Sequence, residues 1–301
     1  MGVLTNLING LSLGSVYALI ALGYTMVYGI AKMLNFAHGD VIMVGGYICF
    51  CAMSYLGLPP LVGVVLAIIG CTILGIVIER LAYKPLRGAG SLDVLITAIG
   101  VSYFLENAAL LIWKSDPKTF PNIIDLPSLS LFGGQLTVSA TTIITIVVCV
   151  LIMVGLVTFT GKTRMGKAMR ACSEDRGAAT LMGINVNSTI ALTFAIGSGL
   201  AAVASLMYCA AYPQVSPMMG AMLGLKAFVA AVLGGIGSIP GAMIGGIVIG
   251  LVESLTKAYI GTITGGVITS AFSDAIVFAI LIVVLLVKPS GIMGKNEGEK
   301  V

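Results

Sequence analysis

The strongest constraint on this chain is a succession of apolar stretches, each about as long as a bilayer crossing. They fall at about 7–30, 38–57, 60–82, 92–113, 137–160 and 188–211, then as a glycine-rich pair at about 223–236 and 240–257, and last at 271–287. A hydrocarbon core of about 30 Å takes roughly 20 apolar residues in a helix. At least seven of the runs meet that length. With 58% of its residues hydrophobic and 9% charged, the chain cannot clothe a soluble surface. It reads as an all-α, polytopic membrane helix bundle of about eight or nine transmembrane helices, residues 1–301 forming a single transmembrane domain.

What the composition omits narrows function. Cys49, Cys51, Cys71, Cys149 and Cys209 lie in or beside apolar runs, where thiols act as small hydrophobes. His38 is the single histidine, so no zinc-like Cys/His spacing exists and no metal is expected. No basic region precedes the first apolar run, which argues against a cleaved signal peptide. A scattered net charge of +4 gives no basis for nucleic-acid binding. Gly155 to Thr163 imitates a phosphate-binding loop, but five residues separate its glycines where the pattern has four, and it follows an apolar span instead of a strand. With no nucleophile elbow and no HExxH pair, the chain is expected to be no enzyme and to bind no cofactor itself.

Basic residues set an orientation. Arg80, Lys84 and Arg87 share one loop; Lys162, Arg164, Lys167, Arg170 and Arg176 share another; Lys288, Lys295 and Lys300 form the tail. All three are expected on the cytoplasmic side, with 114–136 and 212–222 outside. The chain between 161–188 and the tail must then cross an even number of times. The glycine-rich pair adds two crossings as a hairpin or none as a re-entrant loop, and the sequence leaves both open. Its GGIGSIPGA break, Gly234 to Ala242, stops a regular helix, and an interrupted span marks a transporter interior when protein or water covers the freed backbone.

Residues 161–188 are the one long polar interruption, with seven charged side chains. Within it, Asp175-x-x-Ala178-Ala179-x-x-x-Gly183 reads as a short helix. Glu174 and Asp175 suit its positive end, the alanines leave a shallow surface, and Gly183 suits its C-terminal conformation. Such a helix can seat in a partner's cleft, and this spacing resembles the cytoplasmic coupling loop of ABC-importer permeases. The bland alternative is a solvated basic loop that sets topology alone.

The resemblance extends along the chain. Asn35-Phe-Ala-His-Gly-Asp40, Lys84-Pro-Leu-Arg87, Ile99-Gly-Val-Ser-Tyr-Phe-Leu-Glu106-Asn107 and Arg170-Ala-Cys-Ser-Glu-Asp175 come in order. Gly234-Gly-Ile-Gly-Ser-Ile-Pro-Gly241, Val252-Glu-Ser-Leu255 and Lys288-Pro-Ser-Gly291 follow. Together they resemble the H-type permease subunit of the high-affinity branched-chain amino acid ABC importer, with Lys84 and Lys288 where arginine is expected. That family implies a heterodimer with a sister permease, two ATPase subunits that bind ATP, and an extracytoplasmic binding protein delivering leucine, isoleucine or valine. It also implies a multi-pass protein of the inner or plasma membrane. Urea, amide and other amino-acid permeases share the pattern, and a stand-alone secondary transporter or channel is the competing class.

The resemblance and the charges single out particular residues. Arg170, Glu174, Asp175, Ala178, Ala179 and Gly183 are candidates for ATPase coupling. Candidates for the pathway are Asn35, His38, Asp40, Glu106, Asn107, Gly234, Gly235, Gly237 and Gly241, although the structural reading of Asp40, as the cap of the second span, is the favoured one. Glu253 and Asp274 are expected near the outer interface, leaving Glu106 as the mid-span carboxylate and no charge cluster in the spans. Gly241/Gly245 and Gly246/Gly250 are small-xxx-small pairs suited to close packing, within the chain or against the sister subunit. Cys172, the one cysteine in a polar loop, is expected to react with a cytoplasmic thiol reagent. A passage this sparse in charge suits a small apolar zwitterion met by backbone groups at the 234–241 break.

Overall fold

Glycine decides which helix lies at the centre. The computed structural model describes residues 2–124, 126–131, 136–265 and 269–294, so Asp125, Lys295 and Lys300 lie outside the described residues. Helix α1 (Gly2–Ala31) is almost wholly buried from Gly10 onward and forms the axis of the bundle. Around it run α2 (His38–Ser54), α3 (Pro60–Ile78), α4 (Ser91–Trp113), α5 (Ala140–Lys162), α8 (Val186–Ala211), α9 (Met219–Gly234), α10 (Ile239–Ile263) and α11 (Ser273–Val287). Seven of these nine are long and apolar enough to cross a membrane, while α2 and α9 are shorter. Two short polar helices, α6 (Arg164–Glu174) and α7 (Arg176–Leu181), interrupt the series.

The close approach of α1 to α10 depends on residues without side-chain bulk. A side chain at Gly246 would meet the backbone of Ala18, and one at Gly250 would meet Gly14. On the adjoining face of α10, Gly241 abuts Gly234 and Gly245 abuts Ala230, both on α9. The two small-residue pairs therefore serve two different contacts inside this chain. In lipid no hydrophobic gain draws helices together, so van der Waals contact at short backbone separation has to do it.

Sequence chemistry starts and stops the helices. Ser139, Thr163, Asn185 and Ser238 each accept a backbone N–H at the start of α5, α6, α8 and α10, at 3.4, 3.0, 3.1 and 3.2 Å. The end of α3 widens into one π turn at Glu79–Tyr83 and tightens to a 3-10 turn at Lys84–Leu86, where Pro85 cannot continue the ladder. Asp40 is not the cap of α2: Ala37 holds that position without a side-chain bond, and Asp40 sits buried in the first turn.

The bundle has two distinct ends. At one end β1 (Lys118–Thr119) pairs antiparallel with β4 (Gln214–Val215), and Asn6 near the start of α1 meets Tyr259 and Ser254 of α10. A second pair, β2 (Leu129–Leu131) with β3 (Leu136–Val138), lies in the same connection between α4 and α5. At the other end α6 and α7 gather with the end of α1, the 235–238 turn and residues 288–294. Helix α9 runs from the strand end to the helical-arm end, about 24 Å for 16 residues. The glycine-rich pair is thus a hairpin, of the two arrangements left open by the sequence.

Candidate functional site

The polar arm is built to be stiff. In α6, Gly166, Met169 and Cys172 face inward at helical spacing, while Arg164, Lys167 and Arg170 face out. Cys172 is 2% exposed, so it does not present its thiol to a reagent as expected; the amphipathic turn of α6 buries it. The Arg170 guanidinium donates to the Gly161 carbonyl at 3.1 Å, and Glu174 is exposed.

Helix α7 is capped at both ends. Asp175 Oδ1 accepts from Gly177 N at 2.7 Å and Ala178 N at 3.0 Å. Gly183, at φ 81°, closes the other end: its N–H donates to Thr180 and that of Ile184 to Ala179, a Schellman pair. The Arg176 guanidinium donates to the Ala31 carbonyl, fastening this arm to the end of α1. Ala178 faces solvent but Ala179 is 3% exposed, so the surface offered is not the alanine pair. It is Ala178 and Thr180 beside Leu181 and Met182, which are 90% and 82% exposed.

The pathway candidates separate into two places. Asn35, His38 and Asp40 gather at the start of α2, all buried. Asn35 Oδ1 accepts from Tyr83 Oη at 2.8 Å, and the His38 ring meets Tyr24 edge-on at 4.8 Å. Asp40 Oδ2 accepts from Ser102 of α4, one turn before half-buried Glu106. Asp40 Oδ1 and His38 Nε2 have no hydrogen-bond partner among the described residues. Asn107 is exposed and bonded to its own helix at the Tyr103 carbonyl, 2.7 Å. Gly234, Gly235, Gly237 and Gly241 lie elsewhere, at the arm end of the bundle. There the Leu233 and Gly234 carbonyls accept from Ile292 and Met293, both at 2.9 Å, so the tail takes up backbone groups that the sequence reading leaves free for a substrate.

The charges inside the bundle correct two expectations. Glu253 is not at an interface: it is 1% exposed and lies mid-helix in α10. Its Oε1 accepts from Lys226 Nζ of α9 at 2.8 Å and Lys257 Nζ at 2.6 Å, and its Oε2 accepts from Tyr17 Oη of α1 at 2.8 Å. Lys226 also pairs with Asp274 of α11 at 2.7 Å. The spans therefore do contain a charge cluster, and Glu106 is not their one deep carboxylate. Lys226 sits alone in its apolar run and Glu253 is the one carboxylate in its own, which was the available signal; their meeting, 27 residues apart, was not legible.

Helices of this length and polarity, packed through small residues, define a multi-pass membrane protein. Comparison with known proteins specifies the kind. A family described as "Branched-chain amino acid transport system / permease component" matches residues 6–285. A Pseudomonas aeruginosa protein named "High-affinity branched-chain amino acid transport system permease protein BraD" is 47% identical over 216 residues, 68% of this chain and 70% of that one. The Escherichia coli permease protein LivH, of the same description, is 46% identical over 222 residues with the same coverage. A probable counterpart from Methanocaldococcus jannaschii is 30% identical over 199 residues, 62% of this chain and 60% of that one. The chain belongs to this family of permease components.

Proposed function

We propose that this chain is one of two permease subunits of an ATP-driven importer of branched-chain amino acids. The observation that carries this reading is the α6–α7 arm: a rigid, doubly capped helix with an apolar tip, bonded through Arg176 to the end of the central helix. ATP binds and is hydrolysed on two separate ATPase subunits, and Leu181 and Met182 seat in a cleft formed there. When the ATPase pair closes, α7 is displaced and moves the end of α1. The glycine seam then carries that motion to α10 and α9.

On this reading the arm end and the C-terminal segment face the cytoplasm of an inner or plasma membrane. The strand end receives an extracytoplasmic binding protein loaded with leucine, isoleucine or valine. A sister permease completes the pathway as a heterodimer. Replacing Leu181 and Met182 together by glutamate should leave the bundle assembled but abolish both ATPase co-purification and uptake of labelled leucine. Normal uptake by that variant would remove the docking role. If leucine uptake is unchanged in a strain deleted for this gene while urea or amide uptake collapses, the machine stands and the substrate is replaced.

A further inference from the structure

A cavity of about 360 Å³ opens among α1, the end of α8, α9 and α10, and the buried charge cluster forms one wall of it. Tyr17, Lys226, Glu253 and Lys257 line that wall, and Met218, Met219 and Met222 line another. The cluster holds two positive and two negative groups, Lys226 and Lys257 with Glu253 and Asp274, so it is neutral as a whole. Ionisable groups inside a membrane bundle are costly, and well-packed apolar residues would hold these four helices together as well or better. Adhesion alone therefore does not call for these charges.

The bonding within the cluster is redundant in a particular way. Lys226 Nζ is shared by two carboxylates, and Glu253 Oε1 is shared by two ammonium groups. Either sharing partner can be exchanged for a ligand group of like charge without stranding a buried ion. A ligand with one carboxylate and one ammonium would leave the neutral balance intact, whereas a ligand with a single net charge would upset it. Lys257, 47% exposed at its side chain, is the cation best placed to meet a carboxylate entering from the opening. The methionine wall is unbranched and deformable, and accepts apolar side chains of several shapes.

Building on the import reading above, we propose that this cavity is a station for a zwitterionic amino acid on its way through the bundle. Lys257 and Lys226 take the α-carboxylate, Glu253 with Tyr17 takes the α-ammonium, and the methionine wall takes the aliphatic side chain. This locates the polar recognition in side-chain charges of α9 and α10, away from the glycine-rich break.

The test uses the complete importer in proteoliposomes with its binding protein, and reads labelled leucine uptake alongside subunit assembly. Lys226→Met combined with Glu253→Leu removes the buried ion pair with no change in net charge and leaves only the partly exposed Asp274 and Lys257 without these partners, and Met222→Trp fills the cavity without touching a charge. Both variants are expected to assemble normally and to lose uptake by about tenfold or more, the scale of a lost charge-assisted contact. Wild-type uptake by Met222→Trp, or by the paired variant once assembled, overturns the station. If the paired variant does not assemble, Met222→Trp decides alone. Failure of the wild-type importer itself to move leucine overturns the import reading instead, so the two failures are told apart.

Discussion

Helices α1 and α11 are both apolar, yet they solve opposite problems. Helix α1 is the least apolar of the seven long spans and the most buried; α11 is far more apolar, yet it packs by one face only and leaves the other uncovered. Its Ile282, Val283, Leu286 and Val287 point outward, as do Leu111 and Ile112 of α4. In water this order would be inverted. In lipid an outward leucine costs nothing, so bulk goes outside and small residues that permit backbone contact go inside. Gly10 and Gly14 of α1 and Gly246 and Gly250 of α10 form such a seam. The lesson is that the closest helix contacts in this protein follow small residues at the seam and not overall apolarity.

That contrast can be broken most decisively at the seam. Gly246→Leu forces a side chain into the Ala18 backbone, and a loss of about 3 kcal/mol is expected from overpacking a site that cannot yield. Thermal stability of the purified protein in detergent measures it; a variant as stable as the parent would dissolve the distinction between seam and shell. Next comes the buried ion pair at the end of α3, where Arg87 bonds Glu79, which is 1% exposed. Glu79→Gln leaves the guanidinium unmatched and should cost about 2 kcal/mol, reduced from a fully buried pair because Arg87 is 13% exposed.

A smaller effect is expected on the polar arm. Asp175→Ala removes the cap of α7 and should cost about 1 kcal/mol, read as faster hydrogen exchange confined to residues 176–181. Exchange that is unchanged there would mean the arm is held by packing alone. The smallest effect belongs to the shell. Val283→Ala, on the outward face of α11, should change stability by no more than about 0.5 kcal/mol. A large loss there would show that this face is covered by protein, and would point to it as the surface met by a sister subunit.

Much of this was legible in residue order. The apolar runs match the nine apolar helices, seven of them long, to within a few residues at most ends, because a span must be predominantly apolar whatever surrounds it. The ends of α7 were equally readable, since Asp175 and Gly183 act on backbone groups within a few residues of themselves. Contacts between distant residues were not. Nothing in Gly39-Asp40 announces that Gly39 will abut Gly220, or that Asp40 will accept from Ser102 instead of capping its helix. Cys172 reads as a loop cysteine because the amphipathic turn of α6 hides it only once that helix lies against the bundle.

What the sequence determined by itself was local: which stretches form apolar helices, where α7 is capped, and which segment is polar. These follow from chain length, composition and short-range hydrogen bonding, all of which act along the backbone. Only the tertiary structure decided that α9 and α10 form a hairpin, that α1 is the axis, and that Lys226, Glu253, Lys257, Asp274 and Tyr17 meet. Those outcomes depend on backbones approaching where glycine permits it and on charges finding partners across four helices. Neither is encoded at any one position, because each requires two surfaces to fit.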